Sequence, residues 1–522
     1  MRKPWLKNWP DYVPRTIKYP RAPLHWLLTN AAERFKEDIA LLYEDRAFTF
    51  AELASKAASF AGWLANMGVS KGLRVALYMA NSPFFVIGYY GSLMAGATVV
   101  ALNPLLKERE AIYQLEDAEV EVIVADEVGY ATLKRIEQAV KVSKLVLTGT
   151  SSSEAPSLEG IAALGLKRPE VKVKPEEDVA VIQYTAGTTA EPKGVMLTHY
   201  NLLSNAIAIA NVTLLRRHEV QLGALPLYHS YGMTNVMNAS LYVGASVALM
   251  KRFDVEAALR IIEKHRVNVW FGVPTMFIAA LHHLKTCPHD LSSLRFCNSG
   301  GGPIASEVVE EFEKLTGVLL MQGYGLSEAS PVTHSNIPVK GLVKNNSVGM
   351  PLPDTEAKIV DLDLGFKELP PGEVGELVVR GPQVMKGYWK KPIETAEALR
   401  NGWLYTGDIA WMDEEGYFYV VDRKKDVIKY KGYSISPREL EDVLYAHPAV
   451  KECAVVGKPD PIAGEVPKAI IVLREGFQTT PEEIMKFVEE RVAPYKKIRE
   501  VEFREELPKS AIGKILRRLL RS

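Results

Sequence analysis

Hydrophobic and polar positions along the chain separate into three textures. The first three hundred residues alternate short apolar runs with amphipathic stretches, the signature of strands and helices in an α/β fold. One stretch, Val75 to Leu106, carries no charge at all and is long enough to cross a bilayer. Its punctuation argues otherwise. Pro83 opens it, Gly96 interrupts it and Thr98-Val99-Val100 is β-branched, so it predicts a buried helix of about a dozen residues followed by a buried strand. Beyond about residue 340, short alternating runs (AKIVD, GELVVRG, GYFYVVD) between Gly and Pro turns predict a small β-subdomain. After the charged stretch RKKDVIKYKG, helix and strand candidates follow (PRELEDVLYAH, KECAVVGK, KAIIVLRE, PEEIMKFVEERV). They suffice for a compact α+β domain of about 100 residues. The expected division is 1–422 and 423–522.

A repeat organises the first part. GSLMAGATVVAL (Gly91 to Leu102) aligns without gaps on ASLYVGASVALM (Ala239 to Met250), an offset of 244 − 96 = 148. Each copy runs into a charged amphipathic helix and a short apolar strand. The expected fold is therefore α/β: a large N-terminal domain of two similar, duplicated α/β layers plus a β-subdomain, and a small mobile α+β C-terminal domain.

Composition narrows the function. Lys plus Arg and Asp plus Glu both total 63, so no global field draws the chain to nucleic acid or an anionic membrane. Cys287, Cys297 and Cys453 are widely spaced and odd in number, which excludes a disulfide framework and suits a reducing, cytoplasmic compartment. The N-terminus has prolines, charges and tryptophans where a signal peptide needs an apolar core. No integral membrane segment is expected, and a homo-oligomer is compatible with the sequence.

The chemistry begins at YTAGTTAEPKG, Tyr184 to Gly194. Thr185, Gly187, Thr188, Thr189 and Lys193 offer hydroxyls, backbone N–H groups and an ammonium to a polyphosphate, and the apolar run VAVIQY places them at a strand end. Pro192 before Lys193 rules out a Walker A loop. A surface hairpin rich in turn residues is the alternative for this segment alone. Five further motifs follow: PLYHSYGM with His229, NSGGGPI (Asn298 to Ile304), QGYGLSE (Gln322 to Glu328), GWLYTGDIA (Gly402 to Ala410), and DRKKDVIKYKGYSISPRELE (Asp422 to Glu441), before the terminal PKSAIGKILRR (Pro508 to Arg518).

Taken in this order, the motifs resemble those of the adenylate-forming superfamily, which includes acyl-CoA synthetases, peptide-synthetase adenylation domains and luciferases. The resemblance spans essentially the whole chain. It implies an ATP-dependent acid–CoA ligase that joins a carboxylic acid, a medium- or long-chain fatty acid by preference, to coenzyme A through an acyl-adenylate. ATP, Mg²⁺ and coenzyme A are the implied co-substrates and cofactor, and all partners are small molecules. Two departures stand out: Ala186 and Ala190 occupy places where the family usually carries Ser and Gly.

Site residues follow from the same resemblance. Tyr324 is implied to stack on adenine, with Gly301, Gly302, Pro303 and Gly325 giving close backbone approach. Ser327 is a phosphate-contacting hydroxyl, Glu328 the Mg²⁺-binding carboxylate, and Asp408 the ribose acceptor. Arg423 is a second ribose or phosphate contact, or else an interdomain ion pair. Lys193 binds phosphate. Lys514 is the mobile lysine that reaches carboxylate and α-phosphate, with Lys509 as competitor. His229 lies beside the acyl pocket or is structural. Lys425 is the hinge, and Gly432 and Tyr433 line the coenzyme A tunnel. The expected pocket walls are Tyr231, Gly232, Met233 and Val236, then Gly272, Val273 and Phe277, then Gly323, with Trp270 able to shorten the pocket. Cys297 is an apolar filler. Alternatives stay open: loading of a carrier protein, although the chain stops eight residues after Lys514, an aromatic or short hydroxy acid, or a catalytically silent binding protein.

Overall fold

The computed structural model describes residues 3–140, 144–149, 154–185, 192–362, 364–423, 426–430, 433–461, 463–509 and 515–521, with backbone only at 423, 429, 433, 434 and 518. The uncharged stretch divides as its punctuation predicts. Strand Arg74–Tyr78 leads to the helix Pro83–Met94, then to the fully buried strand Thr98–Leu102. Ser82 starts the helix by accepting the Phe85 N–H, and Pro83 sits in its first turn, where a missing N–H costs nothing. All of its residues except Phe84 are buried, so it is a core helix enclosed on all sides. Among the described residues, no helix is long and apolar enough to cross a membrane.

The two copies of the repeat sit in two different sheets with one topology. The seven-stranded sheet contains, side by side and parallel, Thr98–Leu102, Arg74–Tyr78, Val122–Ala125 and Lys144–Leu147. The nine-stranded sheet contains Ser246–Leu249, Val220–Gly223, Val269–Gly272 and Phe296–Ser299 in the same second-first-third-fourth order. The backbone agrees in detail. Gly96 and Gly244 both end their helices with φ +80°, a left-handed position where glycine carries no Cβ penalty. Ala97 and Ala245 then donate back to the carbonyls of Ser92 and Ser240. Equivalent positions even meet: Tyr90 OH donates to Asn238 Oδ1 at 2.7 Å, and 238 − 90 = 148. Next to them, Asn81 clasps the second layer through Leu225 O (2.9 Å) and the Leu227 N–H (2.7 Å). These bonds tie the two layers together.

A five-stranded antiparallel sheet (Glu356–Val360, Gly375–Arg380, Trp403–Met412, Leu399–Arg400 and Phe418–Arg423) forms the β-subdomain. The N-terminal segment is pinned to it: buried Trp5 meets Phe418 edge-on, and Thr16 donates to Asp354 at 2.6 Å. The last sheet is built on the long antiparallel pair Val450–Asp460 and Gly464–Leu473, with Ile428–Tyr430 and Glu500–Phe503 beside it. Its tail is held back to the preceding chain. Arg517 donates to buried Glu441 (3.1 Å) and lies 3.6 and 3.7 Å from Asp422 and Asp426. Asp422 also accepts from Ser436 Oγ (2.8 Å) and the Arg438 N–H (3.1 Å). The tail closes on itself as well, because Leu516 N–H donates to Pro508 O and Lys509 pairs with Ile515.

Candidate active site

The two ends of the phosphate-loop motif lie on paired strands: Val179–Thr185 pairs antiparallel with Lys193–Thr198, and Thr185 is opposite Lys193. The hairpin's base is clamped. Tyr184 OH donates to Asp117 Oδ2 at 2.5 Å, Tyr113 OH to Pro192 O at 3.0 Å, and the Trp389 indole to Asp117 O at 2.8 Å. Gly187, Thr188 and Thr189, with Ala186 and Ala190, lie outside the described residues.

Strand Gly387–Tyr388 pairs with the second hairpin strand and brings in a residue that the motifs do not contain. The Lys193 ammonium stands 5.0 Å from the centre of the Tyr388 ring, and Tyr388 OH donates to Glu328 Oε1 at 2.9 Å. Burial, then the charge of Glu328, pushes the Tyr388 phenol far above its ordinary range, so it remains a proton donor to that carboxylate. Tyr388 thus joins the phosphate-loop lysine to the expected metal carboxylate. Ser327 Oγ lies 3.3 Å from Ser230 Oγ, which brings the His229 loop to the same place. Carboxylate and hydroxyl oxygens are the donors that a hard cation such as Mg²⁺ takes, so this set fits the ion.

The nucleoside residues also converge. Tyr324 OH donates to Asp408 Oδ2 at 2.5 Å, fixing the ring of one expected contact with the carboxylate of another. Asp408 is buried and pairs in register with Arg423 across the β-subdomain sheet. Gly301 has φ +79°, and a Cβ on Gly302 would meet only Pro274 at 3.8 Å, so the turn that also carries exposed Pro303 leaves space above it. Gly325 has a different reason to be glycine: a Cβ there would lie 2.2 Å from Pro331 O, so its own hairpin requires it. Replacing Tyr324 by phenylalanine should keep the stacking ring and remove a bond to a charged group. We expect the KM for ATP to rise about tenfold with kcat little changed, corresponding to roughly 1.5 kcal/mol. An unchanged KM would mean that the bond positions nothing.

The expected acyl walls do not form one surface. Tyr231 donates to the Asn298 carbonyl and Oδ1 (3.2 and 3.1 Å), stands edge-on to Phe271, and fills the space that a Cβ on Gly300 would need. Gly323 borders the same Asn298, 3.4 Å from the position of its own absent Cβ. Met233 and Val236 are buried on the π-helix Gly232–Asn238, which Gly232 permits by lying against Pro226 O. Gly272 and Phe277 are elsewhere. Successive strand residues face opposite ways, so Trp270 and Gly272 project away from Phe271. A Cβ on Gly272 would touch Phe277 at 2.9 Å and Trp270 at 3.1 Å; those two rings meet at a tilt of 43° with centroids 4.7 Å apart and are fully buried. The expectation that Gly272 leaves room is therefore corrected: aromatic rings occupy it, on the opposite face from Tyr231. Val273 is buried directly before the helix Pro274–Leu284. Cys297 is fully buried and burial raises its thiol, which suits a filler and not a nucleophile.

His229 is half-buried and its Nδ1 accepts the Tyr231 N–H at 3.2 Å. Lys425, Gly432 and Lys514 lie outside the described residues, as do the side chains of Arg423 and Tyr433. Lys509, the competitor, is committed to Glu452 at 2.6 Å. Tyr388 and Asn298 are the site residues that the sequence reading missed. Asn298 opens a quoted motif, while Tyr388 offered only a Gly-Tyr-Trp run among lysines.

Comparison with known proteins gives the family. Residues 28–389 match the model of the AMP-binding enzyme family and residues 439–514 that of the AMP-binding enzyme C-terminal domain. The chain belongs to this family of adenylate-forming enzymes. Among curated relatives, a long-chain-fatty-acid–CoA ligase of Bacillus subtilis is 42% identical, covering 99% of this chain and 98% of its own. The 4-coumarate–CoA ligase 3 of Oryza sativa subsp. japonica is 36% identical over 91% and 87%. Among solved structures, the anthranilate CoA ligase AuaEII in complex with anthranoyl-AMP superposes with a TM-score of 0.90 at 30% identity, covering 96% and 97%. ATP-bound MatB from Rhodopseudomonas palustris superposes at 0.87 and 28%, covering 96% and 98%. The expected enzyme class, an acid–CoA ligase working through an adenylate with ATP, Mg²⁺ and coenzyme A, stands.

Proposed function

We propose that the protein activates a medium- or long-chain fatty acid with ATP and transfers it to coenzyme A. The observation that carries the reading is the bridge from Lys193 through Tyr388 to Glu328, set beside the Tyr324–Asp408 pair. In this reading the first group supplies a cation for phosphate and an oxygen ligand for a divalent ion, and the second an aromatic face and a ribose acceptor. The curated relatives of 36–42% identity support the thiol half of the reaction.

In the first half-reaction, a carboxylate oxygen attacks the α-phosphorus in line and pyrophosphate leaves with the broken P–O bond. Lys193 with the phosphate loop holds the β- and γ-phosphates, Asp408 the ribose, and Tyr324 with the Gly301–Gly302 turn the adenine. Lys514 lies between the two anions as they approach and stabilises the charge that they bring together. Mg²⁺ held at Glu328 would neutralise phosphate charge. The small domain, which we divide from the large one between residues 422 and 423, then turns about Lys425. The coenzyme A thiol attacks the acyl carbon past Gly432 and Tyr433, the acyl C–O bond to the phosphate breaks, the thiol proton passes to solvent, and AMP leaves. Cytoplasmic location belongs to the same reading and rests on the free cysteines.

Chain length tests the substrate. Tyr231, Met233, Val236 and Phe271 offer an apolar wall bordered by Gly323. Each methylene buried contributes about 0.8 kcal/mol, so kcat/KM should climb about fourfold per carbon until the pocket fills. Acids of two to sixteen carbons, with benzoate and coumarate alongside, would be compared by pyrophosphate release. A maximum at four carbons or fewer, or on an aromatic acid, would reject the aliphatic reading and leave the ligase chemistry intact.

A further inference from the structure

On the far side of the helix Pro274–Leu284 from its first turn, three side chains of transition-metal chemistry converge. The ligand atoms of His283, Cys287 and His289 all lie within 4.8 Å of one another. None of them belongs to a nucleotide motif. His283 stands in the helix's last turn, and the following turn brings Cys287 and His289 back beneath it; the Thr286 and Cys287 N–H groups both donate to the His283 carbonyl.

His289 is oriented as a ligand would be. Its Nδ1 is 2.8 Å from Glu263 Oε2, and the other oxygen of Glu263 accepts the Asp290 N–H at 2.5 Å. A carboxylate in that position accepts, so the imidazole proton sits on Nδ1 and Nε2 carries the lone pair. That Nε2 is the atom facing Cys287, with Sγ at 3.9 Å. A histidine backed by a carboxylate is the usual outer arrangement at a metal. The His283 ring lies 5.7 Å from that of His289, and its Nε2 is buried without a hydrogen-bond partner among the described residues. Cys287 is a free, exposed thiol. Simple turn packing accounts for the ring contact but leaves the unpartnered nitrogen unexplained.

We propose that His283, Cys287 and His289 bind one zinc-class divalent cation, with a fourth position open to solvent beside Cys287. Thiolate and imidazole select a borderline late first-row ion over Mg²⁺, so this site is chemically separate from the one at Glu328. The separation of Cys287 Sγ and His289 Nε2 is near what the ion requires. Zn–S and Zn–N bonds of about 2.3 and 2.0–2.1 Å at a tetrahedral angle place sulfur and nitrogen about 3.6 Å apart, a few tenths of an ångström less than the present separation. Through Glu263 the ion would tie the end of Pro274–Leu284 to the helix Val255–His265.

The test uses the full chain, stripped of metal and titrated with Co²⁺ at fixed pH. One equivalent should bring up a thiolate-to-cobalt charge-transfer band and four-coordinate visible bands, both displaced by Zn²⁺. Cys287→Ser should remove the thiolate band, since Cys297 and Cys453 are buried. His283→Gln and His289→Gln should each weaken Zn²⁺ binding at least tenfold against a chromophoric chelator. Glu263→Gln should weaken it about 10–100-fold while keeping the band. Circular dichroism of each metal-free variant checks folding, and zinc-edge absorption of the wild type should report one sulfur and two imidazoles. No band in the wild type, a band that survives Cys287→Ser, or an affinity untouched by both histidine changes would overturn the proposal.

Discussion

Lys514→Ala is expected to lose acyl-adenylate formation by about 10²–10³-fold while still converting supplied acyl-AMP and coenzyme A to thioester. Two anions must meet when a carboxylate attacks a phosphate, and one well-placed cation in a water-excluded site is worth about 3–4 kcal/mol there. The second half-reaction joins a thiol to an activated carbonyl and brings no such pair together. Lys509 is the lysine that would compete for the role, and its ion pair with Glu452 makes Lys509→Ala a fitting control with near-normal adenylation. Single-turnover assays of the two half-reactions separate the cases. Equal loss in both would take the assignment from Lys514.

Glu328→Gln is expected to raise the Mg²⁺ concentration needed for half-maximal adenylation by about 10–100-fold, equivalent to roughly 1.4–2.8 kcal/mol. The amide keeps the size and an oxygen for Tyr388 to reach, but not the charge that a hard cation requires. Tyr388→Phe makes the complementary change, leaving the carboxylate and the ring beside Lys193 and removing only the 2.9 Å donor. Its effect should be smaller, several-fold, because the cation's ligand survives. A titration of activity against free Mg²⁺ at saturating acid reads both variants; identical curves for Glu328→Gln and wild type would remove Glu328 from the metal site.

What the sequence made legible was local. The helix Pro83–Met94 could be read because Ser82, Pro83 and Gly96 mark its ends within the chain. The duplication could be read because both copies keep the glycine that their left-handed turn needs, at Gly96 and Gly244. The topology those segments adopt, and the Tyr90–Asn238 contact across the repeat, followed from them. The motifs likewise named Tyr324 and Asp408 separately, and only the fold joins residues 84 apart in one hydrogen bond. Tyr388 was missed because its meaning is non-local: a two-residue strand has almost no pattern, and its role comes from pairing with a hairpin nearly two hundred residues earlier. The place given to Gly272 missed for a related reason. Gly272 reads as open space in one dimension, but a strand's alternation sends it to the face where Phe277 and Trp270 already sit.

The tethering of the C-terminal tail bears on how Lys514 can act. Three residues beyond it, Arg517 is held among Glu441, Asp422 and Asp426, and immediately after it Ile515 is paired with Lys509. Even fully extended, three residues reach only about 11 Å. In the proposed reaction the lysine would be a tool on a short handle, carried with the elements that grip Arg517 and not by a loose loop of its own. Under that proposal its arrival would be a displacement of the small domain as a body. Because Asp422 stands beside the proposed pivot, the same charge cluster that grips the handle also sits at the joint, so turning the joint would pull on the handle directly.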